Sequence, residues 1–228
     1  MRSLRAIFRA FQGEEPLEFE GDFYRFSLLT DFFSPGPIEH PDIPVYVAGV
    51  NRGIARMAGE VCDGFHVHPL HSRRYLDEVL RPAIAEGARD AGRDPSAVAL
   101  ACPVFMIVGD TEEEREPQRL ATRRQLSFYG STPAYRRVFE LHGFDDVGET
   151  LHRLQREGDT EGMAAAVTDE MLEAYAVTAT WEELPRTLVE RYEGAVDRIF
   201  PYSGQGVRLS DPVGRERWAD VARRVRAG

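Results

Sequence analysis

At 228 residues, 43% of them hydrophobic and 29% charged, the chain is long enough for one large domain with a real core and has an ordinary globular composition. Its formal net charge of −10 argues against a general affinity for nucleic acid or for an anionic membrane surface. No run of about 18 apolar residues and no leading segment of signal-peptide type is present, so no membrane association and a cytoplasmic location are expected. Cys62 and Cys102 lack metal-type spacing and read as buried free thiols in a reducing compartment.

In chain order, Leu4, Ile7, Phe8 and Phe11 keep helical spacing almost from the first residue, and Gly13 ends the run. Leu17 to Phe26 alternates around Gly21-Asp22 and predicts a small β-hairpin. Residues 34–44 are rich in Pro and Gly, include His40, and form a loop. Val45 to Ala48 is an apolar run that follows a proline and stops at Gly49, the pattern of a fully buried parallel strand. Ile54, Met57, Ala58 and Val61 then recur at helical spacing, and Phe65 to Val67 follows the turn signal Asp63-Gly64. Strand, glycine-bearing turn, helix, strand is a βαβ unit. Ligands bind at the turn after the strand in such units, and the helix N-terminus beyond it attracts anions.

Tyr75, Leu76, Val79, Leu80 and Ile84 predict a long amphipathic helix ending near Gly92-Arg-Asp-Pro95. Val98 to Val108 reads as the third strand. Thr111 then serves as N-cap of a charged helix, with Glu114 placed to complete a capping box. Between Gln118 and Ala176 no strand pattern is visible; apolar residues at helical spacing predict a helical insertion or lid over residues 118–176. Thr180-Trp-Glu-Glu183 opens another capped helix, Val196 to Tyr202 reads as the fourth strand, and Trp218, Val221, Ala222 and Val225 mark a final helix.

The chemistry-bearing candidates cluster at predicted strand ends. Gly49, Val50, Asn51, Arg52 and Gly53 have what a phosphodiester requires: glycines that let backbone N–H groups approach, an amide donor and a cation. The plain alternative is a βα turn with an N-capping asparagine. His66 and His68 alternate around Val67 and face one side. His68, nearer the strand end, is the pocket candidate, and His66 one layer deeper reads as a core histidine. The pair also has metal-type spacing, which would suit a hydrolase, but no third ligand is placed and no metal is expected. Tyr202 and Ser203 end the last strand, where β/α barrels often bind phosphate. Asp63 begins a strand and reads as structural.

Four strands, each followed by helix, fit a parallel β/α arrangement, whereas a complete eight-stranded barrel needs about 250 residues. The order of Pro44-Val-Tyr-Val-Ala-Gly-Val-Asn51, Met57 to His68 and Gly92-Arg-Asp-Pro95 resembles the luciferase-like monooxygenase superfamily, and within it the oxidoreductases that use the deazaflavin coenzyme F420. The hairpin Phe19 to Phe26 and the final Thr180 to Phe200 follow the same order. Ala179-Thr-Trp-Glu-Glu stands here where many members have Gly-Thr-Pro-Glu-Glu. The resemblance implies part of a (β/α)8 TIM-type barrel, its C-terminal half with about four parallel strands, the first four preceding Met1. It implies an oxidoreductase moving a hydride between F420 (or FMN) and a small organic substrate. The retained half resembles the part that grips the cofactor's phosphate end, while the family's acid/base residues belong to the absent part. No catalytic residue is therefore assigned, and impaired turnover is expected. The alternative is a non-catalytic flavin- or deazaflavin-binding protein. Half a barrel leaves strand edges and an apolar interior uncovered, so a homo-oligomer is expected.

Overall fold

The computed structural model describes residues 1–202 and 211–227. Helix α1 (Arg2–Phe11) ends where Gly13 takes a φ of 73°, a left-handed value that suits glycine. The hairpin forms as β1 (Phe19–Glu20) and β2 (Arg25–Phe26), paired antiparallel. The β/α part then runs β3 (Tyr46–Gly49), α2 (Arg52–Val61), β4 (Gly64–Val67), α3 (Arg73–Tyr75), a π-helical turn at Leu76–Leu80, α4 (Arg81–Asp90) and β5 (Ala99–Val108). Helices α5 (Glu112–Gly130), α6 (Arg136–Glu140), α7 (Asp145–Glu157), α8 (Thr160–Ala165) and α9 (Asp169–Tyr175) follow. The chain closes with β6 (Ala176–Ala179), α10 (Leu184–Tyr192), β7 (Arg198–Tyr202) and α11 (Pro212–Ala227). Among the described residues no helix is long and apolar enough to cross a membrane.

All pairings among β3 to β7 are parallel. Strand β4 lies between β3 and β5, and β7 pairs with β5, so the four strands expected from sequence are neighbours in the expected order. The fifth, β6, was not visible in the sequence. Ala176-Val-Thr-Ala179 follows α9 with no turn residue between them, and four residues give too little pattern to separate strand from helix. Phe105 pairs with both Ala176 and Tyr202, and Ala101 with both His66 and Arg198. Strands β4 and β6 therefore share one edge of β5, at its start and its end, and β7 holds the other.

Two burial expectations are corrected. Strand β3 is not fully buried: Tyr46, Val47 and Gly49 are half-buried and Ala48 is exposed, because β3 is an edge strand paired only with β4. His66 is exposed rather than a core histidine, resting beside Tyr46 and Phe200 at ring-centroid distances of 5.4 and 6.3 Å. Ala48 and His66 are register partners in the β3–β4 pair. The buried core instead gathers Phe65, Leu76, Leu80, Phe105, Ile107, Leu126, Phe139, Leu151, Met171 and Leu188. Cys62 and Cys102 are buried free thiols.

Local chemistry fixes the element ends. Thr111 Oγ1 accepts from the Glu114 N–H while a Glu114 carboxylate oxygen accepts from the Asp110 N–H, a capping box shifted by one residue. Thr180 and Glu183 cap each other reciprocally. Asp63 accepts from the Val45 N–H at 2.8 Å, and its two carboxylate oxygens accept from Arg5 Nη2 at 2.7 and 2.8 Å. Desolvation pushes its carboxyl upward, but these donors outweigh it and hold the group below the usual range. Asp63 thus ties α1 to the N-terminal ends of β3 and β4, a structural role.

Helices α2 and α4 touch backbone to backbone. A Cβ on Gly87 would lie 1.9 Å from the Arg56 carbonyl oxygen, and one on Gly59 would lie 2.1 Å from that of Ile84. Gly87→Ala should therefore cost about 1–3 kcal/mol by forcing the helices apart, measured as a lower midpoint in urea unfolding. An unchanged midpoint would show that the contact is looser than described.

Candidate functional site

The C-terminal ends of β3, β4 and β7 bring most of the sequence candidates to one side of the sheet. Gly49 ends β3, and Val50 is buried at the start of the turn. Asn51 is the N-cap of α2, yet no side chain accepts from the first helical turn. The first backbone bond into the turn reaches the Asn51 carbonyl from Ala55. The N–H groups of Arg52, Gly53 and Ile54 are thus left without an intrahelical partner. They point along the helix axis, where the macrodipole also favours negative charge.

The two glycines divide the work. A Cβ on Gly49 would lie 2.2 Å from Ile54 Cγ2, so Gly49 is needed for packing of the strand end on the helix. A Cβ on Gly53 would meet nothing within 4 Å, and Arg52 and Gly53 are exposed at the start of the helix. The Arg52 side chain is half-exposed and engaged with Glu86 of α4. What Arg52 offers an anion without leaving that ion pair is its backbone N–H.

The turn is held from below by a residue that sequence reading did not single out. The Tyr75 hydroxyl, in a side chain only 1% exposed, donates to the Val50 carbonyl at 3.2 Å. Tyr75 ends α3, immediately before the π-helical turn at Leu76–Leu80. Its apolar spacing marked it as core, and nothing in the sequence distinguished its hydroxyl. Tyr75→Phe leaves the Val50 carbonyl unpaired and should destabilise the protein by about 1–3 kcal/mol, read from urea unfolding; a neutral effect would mean water reaches that carbonyl.

His68 sits one residue past β4. Its ring packs on Tyr129 of α5 at 4.6 Å and on Tyr135 at 4.9 Å between centroids. His68 Nδ1 accepts from the Leu70 N–H at 3.1 Å, which places the proton of the neutral ring on Nε2. Tyr129 in turn is 2.6 Å from the Tyr202 hydroxyl at the end of β7, and Gln125 donates to both phenol oxygens at 3.2 Å. Burial pushes the Tyr202 phenol up to about 12, so it stays protonated at neutral pH. Ser203, the other candidate at this strand end, lies outside the described residues. His66 is one pair of residues deeper and does not join this group. Among the described residues no cluster of three or more His, Cys, Asp or Glu is placed to hold a metal.

Beneath the rim His71 is 1% exposed. Its Nδ1 faces two carbonyl oxygens, of His68 and Pro69, at 3.0 and 3.1 Å and must be the donor. Nε2 is then the acceptor for the Tyr192 hydroxyl at 3.2 Å and the Cys102 thiol at 3.1 Å. Burial holds the pKa values of both His68 and His71 down at about 4. The unfolded chain, with histidines near 6.5, therefore binds more protons between those values, and stability falls as pH drops through that window. Unfolding at about pH 5.5 should take up protons, and His68→Gln should reduce the uptake. Equal uptake by both proteins would show that His68 is already charged when folded.

The helical region after β5 also contacts the segment that follows β4. His142 Nε2 lies 2.7 Å from Ser72 Oγ, Arg74 donates to the Leu141 carbonyl at 2.6 Å, and the Tyr175 hydroxyl donates to the Val138 carbonyl at 2.9 Å. Volume alone does not mark the site. Clefts of about 440 Å³ beside Arg5 and Asp63, and about 480 Å³ beside Arg136 and His152, lie away from this rim.

The family model for luciferase-like monooxygenase matches residues 2–198. An uncharacterised protein of Mycobacterium tuberculosis is 43% identical over 199 residues, covering 87% of this chain and 58% of that protein. The 5,10-methylenetetrahydromethanopterin reductase of Archaeoglobus fulgidus is 26% identical over 213 residues, covering 90% of this chain and 60% of the reductase. An F420-dependent glucose-6-phosphate dehydrogenase of Segniliparus rotundus is 33% identical over 98 residues, 43% of this chain and 28% of that enzyme. Among solved structures, the coenzyme F420-dependent tetrahydromethanopterin reductase of Methanopyrus kandleri superposes with a TM-score of 0.65 at 22% identity. That match covers 87% of this chain and 55% of the reductase. The chain thus spans little more than half the length of the relatives that match most of it.

Proposed function

We propose that this chain, which belongs to the luciferase-like monooxygenase family, binds coenzyme F420 and serves hydride transfer between it and a small organic substrate. One observation carries the reading: the backbone N–H groups of Arg52, Gly53 and Ile54 have no side-chain cap at the start of α2, where Arg52 and Gly53 are exposed. A phosphate ester of the cofactor fits such a place, because it needs donors, a helix dipole and room for close approach. Gly49, Val50, Asn51, Arg52 and Gly53 hold that end in this proposal, with Gly49 and Val50 shaping the turn and the next three residues facing the anion. His68, neutral and at the same rim, lines the pocket beyond. F420 over FMN is supported by relatives whose names specify F420.

When bound, F420 supplies the hydride chemistry, and the chain supplies binding, orientation and exclusion of water. Tyr129 and Tyr135, from the helical region after β5, pack on His68 and support a shielding role for that region in this proposal. His68 is held at about 4 and Tyr202 at about 12, so neither is poised to exchange a proton at neutral pH. That observation favours a second reading, deazaflavin binding without turnover. Single-turnover oxidation of the reduced cofactor by a panel of acceptors separates the two. Self-association is proposed alongside, since Phe23, Phe32, Phe33 and Phe200 are exposed.

Gly53→Val tests the assignment. The added side chain meets open space, so stability should change by only about 1 kcal/mol, yet it should fill the space the phosphate needs and weaken F420 binding roughly tenfold or more. Arg52→Glu should weaken binding more than Arg52→Ala, by attraction turned to repulsion. Unchanged F420 titrations in both Gly53→Val and Arg52→Glu would remove the turn from the site.

A further inference from the structure

We infer that His71 is a positioning residue for the proposed cofactor pocket: through its buried ring, Cys102 of β5 and Tyr192 of α10 fix the turn that carries His68. The inference rests on the placement of His68 at that pocket and adds what holds it there. Both nitrogens of the His71 ring specify the same tautomer. Nδ1 faces the carbonyl oxygens of His68 and Pro69 at 3.0 and 3.1 Å, which can only accept. Nε2 faces the Tyr192 hydroxyl at 3.2 Å and the Cys102 thiol at 3.1 Å, which can donate. His71, Cys102 and Tyr192 are each at most 3% exposed. Water does not compete for these groups, and the proton stays on Nδ1.

The turn needs such a holder because the ladder stops short of it. Register pairing between β4 and β5 ends at His66 and Ala101, and Pro103, two positions past Ala101, has no N–H with which to extend it. Strand β6 takes that edge from Phe105 onward. The turn meets β5 instead through His71 and Cys102. Of the two carbonyls at Nδ1, that of Pro69 also takes the His71 N–H at 3.0 Å. The bond from the imidazole to the His68 carbonyl therefore sets the peptide plane that follows His68. The same turn is closed from the other direction, since the Leu70 N–H donates to His68 Nδ1 at 3.1 Å. Without the His71 Nδ1–H the peptide after His68 is free to rotate. The Leu70 N–H then leaves His68 Nδ1, and the rim imidazole can carry its proton on either nitrogen. With the turn held, His68 presents one donor, Nε2–H, beside Tyr129 and Tyr135.

Two substitutions separate the halves of the ring. His71→Asn keeps an amide donor near the Nδ1 position and discards the acceptor, whereas His71→Gln reaches the Nε2 position and discards the donor. Long-range proton–nitrogen NMR of histidine-labelled protein, above neutral pH and without cofactor, reads the tautomer of His68. Wild type and His71→Asn should both show His68 as the single Nε2–H form, and their F420 dissociation constants should agree within about threefold. His71→Gln should show both tautomers of His68 and bind F420 roughly tenfold more weakly, while the Arg52, Gly53 and Ile54 amides still shift on binding. A His71 that merely fills space would lower thermal stability in both variants and leave His68 alike in both. A single His68 tautomer in His71→Gln overturns the inference, and so does wild-type F420 affinity in that variant. A mixture of tautomers in His71→Asn also overturns it, and decides the matter should His71→Gln not fold. The tautomer comparison needs no cofactor, so a wild-type protein that fails to bind F420 counts against the proposed function, while the hold of His71 on His68 is judged separately.

Discussion

Nine consecutive residues of β5, Leu100 to Val108, are withdrawn from water and must place their backbone hydrogen bonds on neighbouring strands. This obligation organises the sheet. One edge of β5 receives β4 at its start and β6 at its end, and the other receives β7. Because all these pairings are parallel, the strands finish on one side, and the residues following them meet there. His68, just past β4, and Tyr202, at the end of β7, come to one side of the sheet because both strands pair with β5. Each buried aliphatic or aromatic side chain in this core contributes about 1.5–3 kcal/mol, against roughly 0–1 kcal/mol for each exposed ion pair on the helices. Burial around β5 therefore decides the fold.

The second constraint acts on the position of α2. Its glycine contacts with α4 fix the helix against its neighbour, and Gly49 lets the end of β3 lie against Ile54. Tyr75 then holds the Val50 carbonyl from beneath. Strand end, turn and helix start are each held by packing rather than by a capping side chain, and the free amides at the start of α2 are the consequence. A serine or aspartate cap there would satisfy the same amides and remove them from ligand binding.

Much of this was legible in the sequence because its signals are local. The apolar runs of β4, β5 and β7, the capping residues Thr111 and Thr180, and the turn at Gly49 to Gly53 all lie within a few residues of what they determine. What escaped depends on distant partners. Strand β6 exists because the end of β5 needs a neighbour, and Ala176-Val-Thr-Ala179 carries no pattern of its own. Strand β3 reads as buried from composition, and its edge position exposes Ala48. His66 reads as core from its neighbours, yet it is exposed beside Tyr46 and Phe200. Arg52 has the charge expected beside a phosphate, but Glu86, 34 positions on, engages its side chain. The Tyr129–Tyr202 pair spans 73 positions and left no trace in local spacing.

The account places an anion at the start of α2, and the amide resonances of Arg52, Gly53 and Ile54 report on that directly. Titrating isotope-labelled protein with F420, and with the same deazaflavin lacking its phosphate ester, compares the two ends of the cofactor. The account predicts large, saturable shifts of these three amides with F420 and loss of those shifts with the phosphate-free compound. Shifts that bypass the α2 turn and gather instead around Arg5 and Asp63 would contradict it.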